Sequence, residues 1–145
     1  MISLHNLSTG YGRHVVMQGI HAELRRGELV SLLGPNGVGK STLLRTLSAF
    51  LPAIEGDIRI DGRPLSQLSI RERSRLIGVV LTERTTVQHM TVRDMVGMGR
   101  TPYTGFWGGL NDDDRRVVDD AMRKTGIAHL QHRHFNTLSD GERQK

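Results

Sequence analysis

The sequence predicts a mixed α/β fold, and three observations carry that prediction. A glycine-rich turn, Gly-Pro-Asn-Gly-Val-Gly-Lys-Ser-Thr at residues 34–42, stands between a short apolar run and a helical pattern. A second continuous apolar run at residues 76–81 follows at a distance that allows a crossover, the usual link between parallel strands. Ahead of the turn, residues 2–7 and 14–26 alternate apolar and polar side chains and are closely linked, as antiparallel strands are.

Residues 2–7 place Ile2 and Leu4 on one side and read as an edge strand, and residues 8–12 read as a turn carrying Tyr11. A second strand lies within residues 14–26, where Ile20, Ala22 and Leu24 alternate, and Arg26-Gly27 then turns the chain into residues 28–33, a run suited to a buried strand. Residues 42–50 read as a helix with Leu43, Leu44, Leu47, Phe50 and Leu51 on one face, stopped by Pro52. Residues 57–60 alternate again. Ser69 and Glu72 have the spacing of a capping box that opens a short helix, and residues 76–81 read as a buried strand parallel to residues 28–33.

The character changes after Thr82. Thr91 and Asp94 open a helix whose apolar side holds Met95, Val96 and Met98, and residues 97–109 are rich in glycine and aromatic side chains, among them Tyr103, Phe106 and Trp107. Asn111 caps a further helix with Asp112, Asp113 and Asp114 in its first turn, where carboxylates suit the helix dipole. Val117, Val118, Ala121 and Met122 form its apolar face, and Gly126 ends it. The chain is expected to divide into a mixed β and α/β lobe at residues 1–83, which carries the glycine-rich turn, and a helical lobe at residues 84–145.

The turn at residues 34–42 fits G-x-x-x-x-G-K-[ST], the phosphate-binding loop, with Gly34, Gly39, Lys40 and Ser41 at the fixed positions. Glycines let the backbone curl and let a phosphate approach where a Cβ would clash. Successive N–H groups and the open donors of a helix start make a concave anion site. Lys40 brings a mobile full charge, and the Ser41 hydroxyl is placed to ligate Mg²⁺. The loop predicts a bound nucleoside triphosphate.

Composition narrows the remaining classes. A chain of 145 residues can bury one real core. It holds no cysteine, which excludes disulfides and cysteine-built metal sites. No apolar run approaches the ~20 residues of a membrane span, and the first residues lack the pattern of a secretory signal. The net charge of +5 is scattered, with only short groupings such as Arg71, Arg73 and Arg75, so it reads as a solvated face and not as a nucleic-acid footprint. His129, His132 and His134 have no spacing that fixes a tetrahedral metal set, and Met90, Met95, Met98 and Met122 read as core filling.

Leu138-Ser-Asp-Gly-Glu142, a hundred residues beyond the phosphate loop, also satisfies a plain capping box through Ser139 and Glu142. Together with the loop and the intervening helical segment, it resembles the signature of the ATP-binding-cassette ATPases, typically Leu-Ser-Gly-Gly-Gln. The resemblance covers essentially the whole chain. It implies a P-loop nucleotide-binding core with an N-terminal antiparallel β portion and a following α-helical subdomain. Tyr11 matches the aromatic residue that stacks on adenine. Gly34, Asn36, Gly37, Gly39, Lys40, Ser41 and Thr42 match the ATP-binding loop, with Ser41 on Mg²⁺. Ser139, Gly141 and Glu142 match the signature, which faces the ATP of a partner subunit in a head-to-tail dimer.

Residues 95–103, Met-Val-Gly-Met-Gly-Arg-Thr-Pro-Tyr, look like the importer subunits that serve iron-siderophore, haem and cobalamin uptake. That resemblance implies integral membrane permease subunits as partners, a solute-binding protein reached indirectly, no nucleic acid, and a place on the cytoplasmic face of the membrane. The segment from residue 97 to 109 would then lie near the permease contact, with Trp107 either exposed there or closing the helical core.

This sequence departs from the family pattern in three ways. The glutamine that links the lobes and touches Mg²⁺ falls at Thr82 by spacing, and either Thr82 or the neighbouring Glu83 could replace it. Asp140 and Glu142 place acids near a γ-phosphate, so their carboxylates are expected to turn away and leave the backbone to donate. The family's second phosphate-site strand and catalytic glutamate match nothing up to Lys145. The central sheet is therefore expected to be incomplete, and these residues alone are expected to bind ATP without turnover. Other classes remain: a non-transport ATPase of the same superfamily acting on nucleic acid or ribosomes, a small P-loop kinase, and a binding-only protein docked on a permease.

Overall fold

The computed structural model describes residues 1–81, 87, 89–105 and 108–143. It divides into two compact units, Met1–Val79 and Val80–Lys145.

In the first unit β1 (Ile2–Tyr11) pairs antiparallel with β2 (His14–Leu24) across a two-residue turn in which Gly12 takes a φ of 58°. On its other side β1 pairs antiparallel with β3 (Glu55–Ile60), which pairs with the two-residue β4 (Arg63–Pro64), giving the order β2-β1-β3-β4. β1 is thus an inner strand, not the edge strand that its alternation suggests. Its second neighbour comes from residues some fifty positions away, which the local pattern cannot announce. Pro64 sits on the outermost strand, where a missing N–H is tolerated.

A helix, α1 (Lys40–Leu47), packs against β1. The core of this unit joins Leu4, Leu7 and Ile58 of the sheet to Leu43 of α1 and to Leu65 and Leu68, with Leu4 and Ile58 directly opposite across β1 and β3. Six buried apolar side chains of this size contribute on the order of 2 kcal/mol each by area. They hold the helix on the sheet. α2 (Ile70–Leu76) starts at the Ser69–Glu72 capping box that the spacing predicts.

Two expectations fail in this unit and at its boundary with the second. α1 ends at Leu47, before Pro52 can act: Ala49 takes a left-handed φ of 60°, with Ala49 N donating to Thr46 O at 3.1 Å and Phe50 N to Arg45 O at 2.9 Å. That is the paired-bond C-terminal motif usually built on glycine, and it leaves Leu44 and Phe50 exposed. The runs at residues 28–33 and 76–81 are not strands, and all strand pairing among the described residues is antiparallel. Leu29 and Val80 are 96% and 98% exposed. Apolar sequence favours a buried strand, but an extended segment becomes one only when neighbours supply the ladder of N–H and C=O partners.

The second unit is built on α3 (Val92–Met98), α4 (Asp112–Lys124) and the short α5 (Asp140–Arg143), with 3-10 turns between α4 and α5. Val92, Val118, Met122, Ile127, Leu130 and Leu138 form its core. Met122 fills that core as expected, whereas Met98 is exposed. Both α3 and α4 begin at capping boxes, Thr91–Asp94 and Asn111–Asp114. Asp114 is buried, and its carboxylate accepts Arg100 Nε at 2.9 Å while the same guanidinium lies 4.0 Å over the Tyr103 ring. This ties the segment after α3 to α4. His134 bridges Thr91 through backbone pairing, and no group of three His, Asp or Glu side chains among the described residues could hold a metal. Among the described residues no helix is long and apolar enough to cross a membrane.

Candidate functional site

Gly34 to Thr42 form a loop that runs into the first turn of α1, and the start of that helix differs chemically from the others. The helices α2, α3 and α4 close their first-turn N–H groups with capping side chains. Ser139 and Glu142 do the same at α5. α1 starts at Gly39 with no side-chain cap and no acid in its first turn, and its first helical bond is Leu43 N to Gly39 O at 2.9 Å. The donors of Lys40, Ser41 and Thr42 therefore precede the helical ladder. Such a terminus carries partial positive charge and favours an anion.

Gly39 is needed there on two grounds. Its φ of 106° is one that side chains rarely adopt, and an ideal Cβ would lie 2.6 Å from Val16 Cγ1 and 2.9 Å from Met17 Cγ, both on β2. Close packing of the turn on β2 thus fixes where the N–H groups point. Val16 and Met17 are positioning residues that sequence reading missed, because the motif specifies the glycine and not what it leans on. The Lys40 ammonium donates to Gly34 O and Pro35 O at 2.7 Å each, so the loop's cation lies across the loop's own backbone. The Ser41 hydroxyl is exposed on the same first turn, and Asn36 and Gly37 form the exposed outer part of the loop.

Tyr11 ends β1 at the hairpin, 47% exposed. The hairpin is tight at this point: a Cβ on the preceding Gly10 would fall 1.9 Å from His14 O. Interaction with the Thr42 side chain lowers the Tyr11 phenol below its usual pKa, desolvation opposes this, and Arg45 adds to the lowering. The sheet therefore brings Tyr11 to the first turns of α1, beside the loop. Arg45 is a second neighbour that sequence reading did not single out; its place one helical turn beyond Thr42 was the available signal. A concavity lined by Thr46, Phe50, Ile58, Leu65 and Arg73 lies at the opposite end of α1 from the loop.

In the second unit Ser139 and Glu142 bind each other. Glu142 Oε2 accepts both the Ser139 N–H and its hydroxyl at 2.8 Å, and the Ser139 oxygen accepts Glu142 N at 3.3 Å. The Ser139 backbone N–H, followed by its hydroxyl, holds the Glu142 carboxyl below its usual pKa, with desolvation opposing and Arg133 and His129 assisting. Arg133 Nη1 reaches Glu142 Oε1 at 3.3 Å. Gly141 and Asp140 are exposed. Thr82 and Glu83, and with them Phe106 and Trp107, lie outside the described residues.

Residues 17–145 match the family model described as ABC transporter. An uncharacterised ABC transporter ATP-binding protein of Methanocaldococcus jannaschii is 40% identical over the whole chain, which covers 50% of that protein. The ferric enterobactin transport ATP-binding protein of Escherichia coli is 37% identical over 96% of the chain and 51% of its own length. The hemin import ATP-binding protein of Pseudomonas fluorescens is 40% identical over the whole chain and 55% of its own length. The chain thus spans about half the length of the curated relatives it matches. Among solved structures, an inward-facing ABC transporter assigned to the metal-chelate type superposes with a TM-score of 0.78 at 30% identity, over 99% of this chain and 51% of that one. A nucleotide-free ATP-binding cassette superposes with a TM-score of 0.80 at 22% identity, over 99% and 60%, and shows likeness of fold.

Proposed function

The chain belongs to the ABC transporter family, and from that premise we propose that it is the ATP-binding part of a subunit powering import of a metal chelate through a membrane permease. The observation that carries the reading is the start of α1: an uncapped helix terminus behind a glycine loop, with Lys40 across it. Relatives named for ferric enterobactin and hemin support the metal-chelate class.

The N–H groups from Gly39 to Thr42 receive the phosphates of ATP, and Lys40 exchanges its two carbonyl partners for the β- and γ-phosphates. Gly34, Asn36 and Gly37 shape the loop around them. The Tyr11 ring stacks on the adenine. Mg²⁺ fits this set: it keeps several waters and takes one or two protein oxygens beside substrate phosphates, and the exposed Ser41 hydroxyl is such an oxygen. When bound, the ion neutralises charge on the β- and γ-oxygens. Thr82 or Glu83 is a further candidate oxygen ligand.

Two copies associate head to tail, so that Ser139, Gly141 and Glu142 of one face the γ-phosphate held by the other. ATP binding closes the pair, and turnover in the full-length protein reopens it. The subunit works against the cytoplasmic face of the membrane, on permease subunits loaded by a solute-binding protein, and contacts no nucleic acid.

Disrupting the gene and following uptake of a ferric siderophore, hemin and cobalamin tests the reading. One of the three uptakes is expected to be lost, and to be restored by the wild-type gene but not by one carrying Lys40→Ala. Normal uptake of all three would overturn the metal-chelate assignment.

A further inference from the structure

Arg133 stands where three parts of the second unit meet. Its carbonyl oxygen accepts from Val92 N at 3.0 Å, in the first turn of α3. Its guanidinium donates from Nη2 to Thr137 O at 2.7 Å and from Nη1 to Glu142 Oε1 at 3.3 Å. Glu142 in turn holds the Ser139 N–H and hydroxyl. One side chain therefore grips residues 137–142 at both ends, and its own backbone is fixed to α3.

The charges matter as much as the clamp. The Glu142 carboxylate accepts the Ser139 N–H and hydroxyl at 2.8 Å each, so a phosphate brought to Ser139 meets its charge and competes with it for those donors. The Arg133 guanidinium, within ion-pair distance at 3.3 Å, offsets that repulsion, with His129 adding a further favourable charge interaction. Resting on the reading that Ser139 faces the nucleotide of a partner copy, we propose that Arg133 is a positioning residue for that contact. It orients the turn at residues 137–142 and neutralises Glu142, so that a signature bearing an acid still accepts a phosphate. The need for Arg133 is then conditional on the charge at residue 142, which a purely structural clamp would not be.

The test uses the full-length protein, with dimerisation driven by a non-hydrolysable ATP analogue followed by sedimentation, the ATPase rate, and a thermal melt. Arg133→Ala is expected to weaken analogue-driven dimerisation about tenfold, and the double variant with Glu142→Gln to recover at least about fivefold over it. Arg133→Lys, which keeps the charge and loses the fork, is expected to stay within about threefold of wild type. A double variant as weak as Arg133→Ala, or Arg133→Lys equally weak, overturns the proposal, as does an Arg133→Ala protein that dimerises normally. Ser139→Arg separates the two levels. If it dimerises normally, the reading of the signature itself falls and this proposal with it. If it does not dimerise while Arg133→Ala does, the role of Arg133 alone falls.

Discussion

The Nζ of Lys40 lies 2.7 Å from the carbonyl oxygen of Gly34, so the cation of the loop is held by the loop's own backbone. A phosphate can take over that ammonium without unfolding anything. Lys40→Met is expected to lower ATP affinity about a hundredfold while moving the melting temperature little, because the bonds it loses are local ones. Titration calorimetry checks it, and unchanged affinity would remove Lys40 from the site.

Gly39 and Gly37 both have positive φ, 106° and 83°, but only Gly39 is backed by side chains. Gly37→Ala is expected to destabilise by about 1 kcal/mol, the ordinary left-handed penalty. Gly39→Ala adds the clash with Val16 and Met17 and is expected to cost at least ~2 kcal/mol more and to abolish nucleotide binding. Urea unfolding of the two variants decides whether β2 sets the shape of the loop.

Tyr11 is half exposed and beside Thr42. Tyr11→Ala is expected to weaken ATP about tenfold and to leave inorganic triphosphate unaffected, while Tyr11→Phe stays within about twofold of wild type. Equal losses for both ligands would mean that the ring supports the loop and does not bind the base.

Asp114 is 2% exposed and bonds Arg100 at 2.9 Å. Arg100→Ala strands a buried carboxylate and is expected to destabilise the second unit by about 3 kcal/mol. The double variant with Asp114→Asn should be less destabilised than Arg100→Ala alone, a comparison that denaturant melts of the two proteins make directly.

Glu72 has its carboxyl pKa lowered from 4.5 to about 2, first by Arg63 and then by the Ser69 backbone and hydroxyl. A carboxyl depressed in the folded state contributes stability above its unfolded pKa and loses it as the pH falls through the folded one. The stability difference between wild type and Glu72→Gln is therefore expected to be full above pH 4.5 and to vanish towards pH 2. A difference independent of pH over that window would assign the effect to geometry and not to charge.

Local chemistry was legible in this sequence wherever a few neighbouring residues suffice. The capping box at Ser69 and the helix starts at Thr91 and Asn111 form where the sequence puts them, because a cap needs a side chain and an N–H only three residues apart. The turn at residues 34–42 and the helix start behind it were legible for the same reason: positive-φ glycines and the reach of Lys40 to Gly34 O and Pro35 O are local features of the backbone. Ser139 and Glu142 carried two readings, a cap and a signature. The cap is the one whose hydrogen bonds form within the chain.

Pairing was not legible. The alternation in residues 2–7 suits an edge strand as well as an inner one, and only the arrival of β3 made β1 central. Apolar residues 28–33 and 76–81 promised buried strands, yet Leu29 and Val80 stand almost fully exposed. The sequence by itself determined which residues cap helices and which turn the chain, because those interactions span a few bonds of the same backbone. Only the tertiary structure decided which strands pair, that Val16 and Met17 hold Gly39 in place, and that Arg133 reaches Glu142. Each of those depends on partners brought from distant positions, whose meeting is set by the packing of the whole unit.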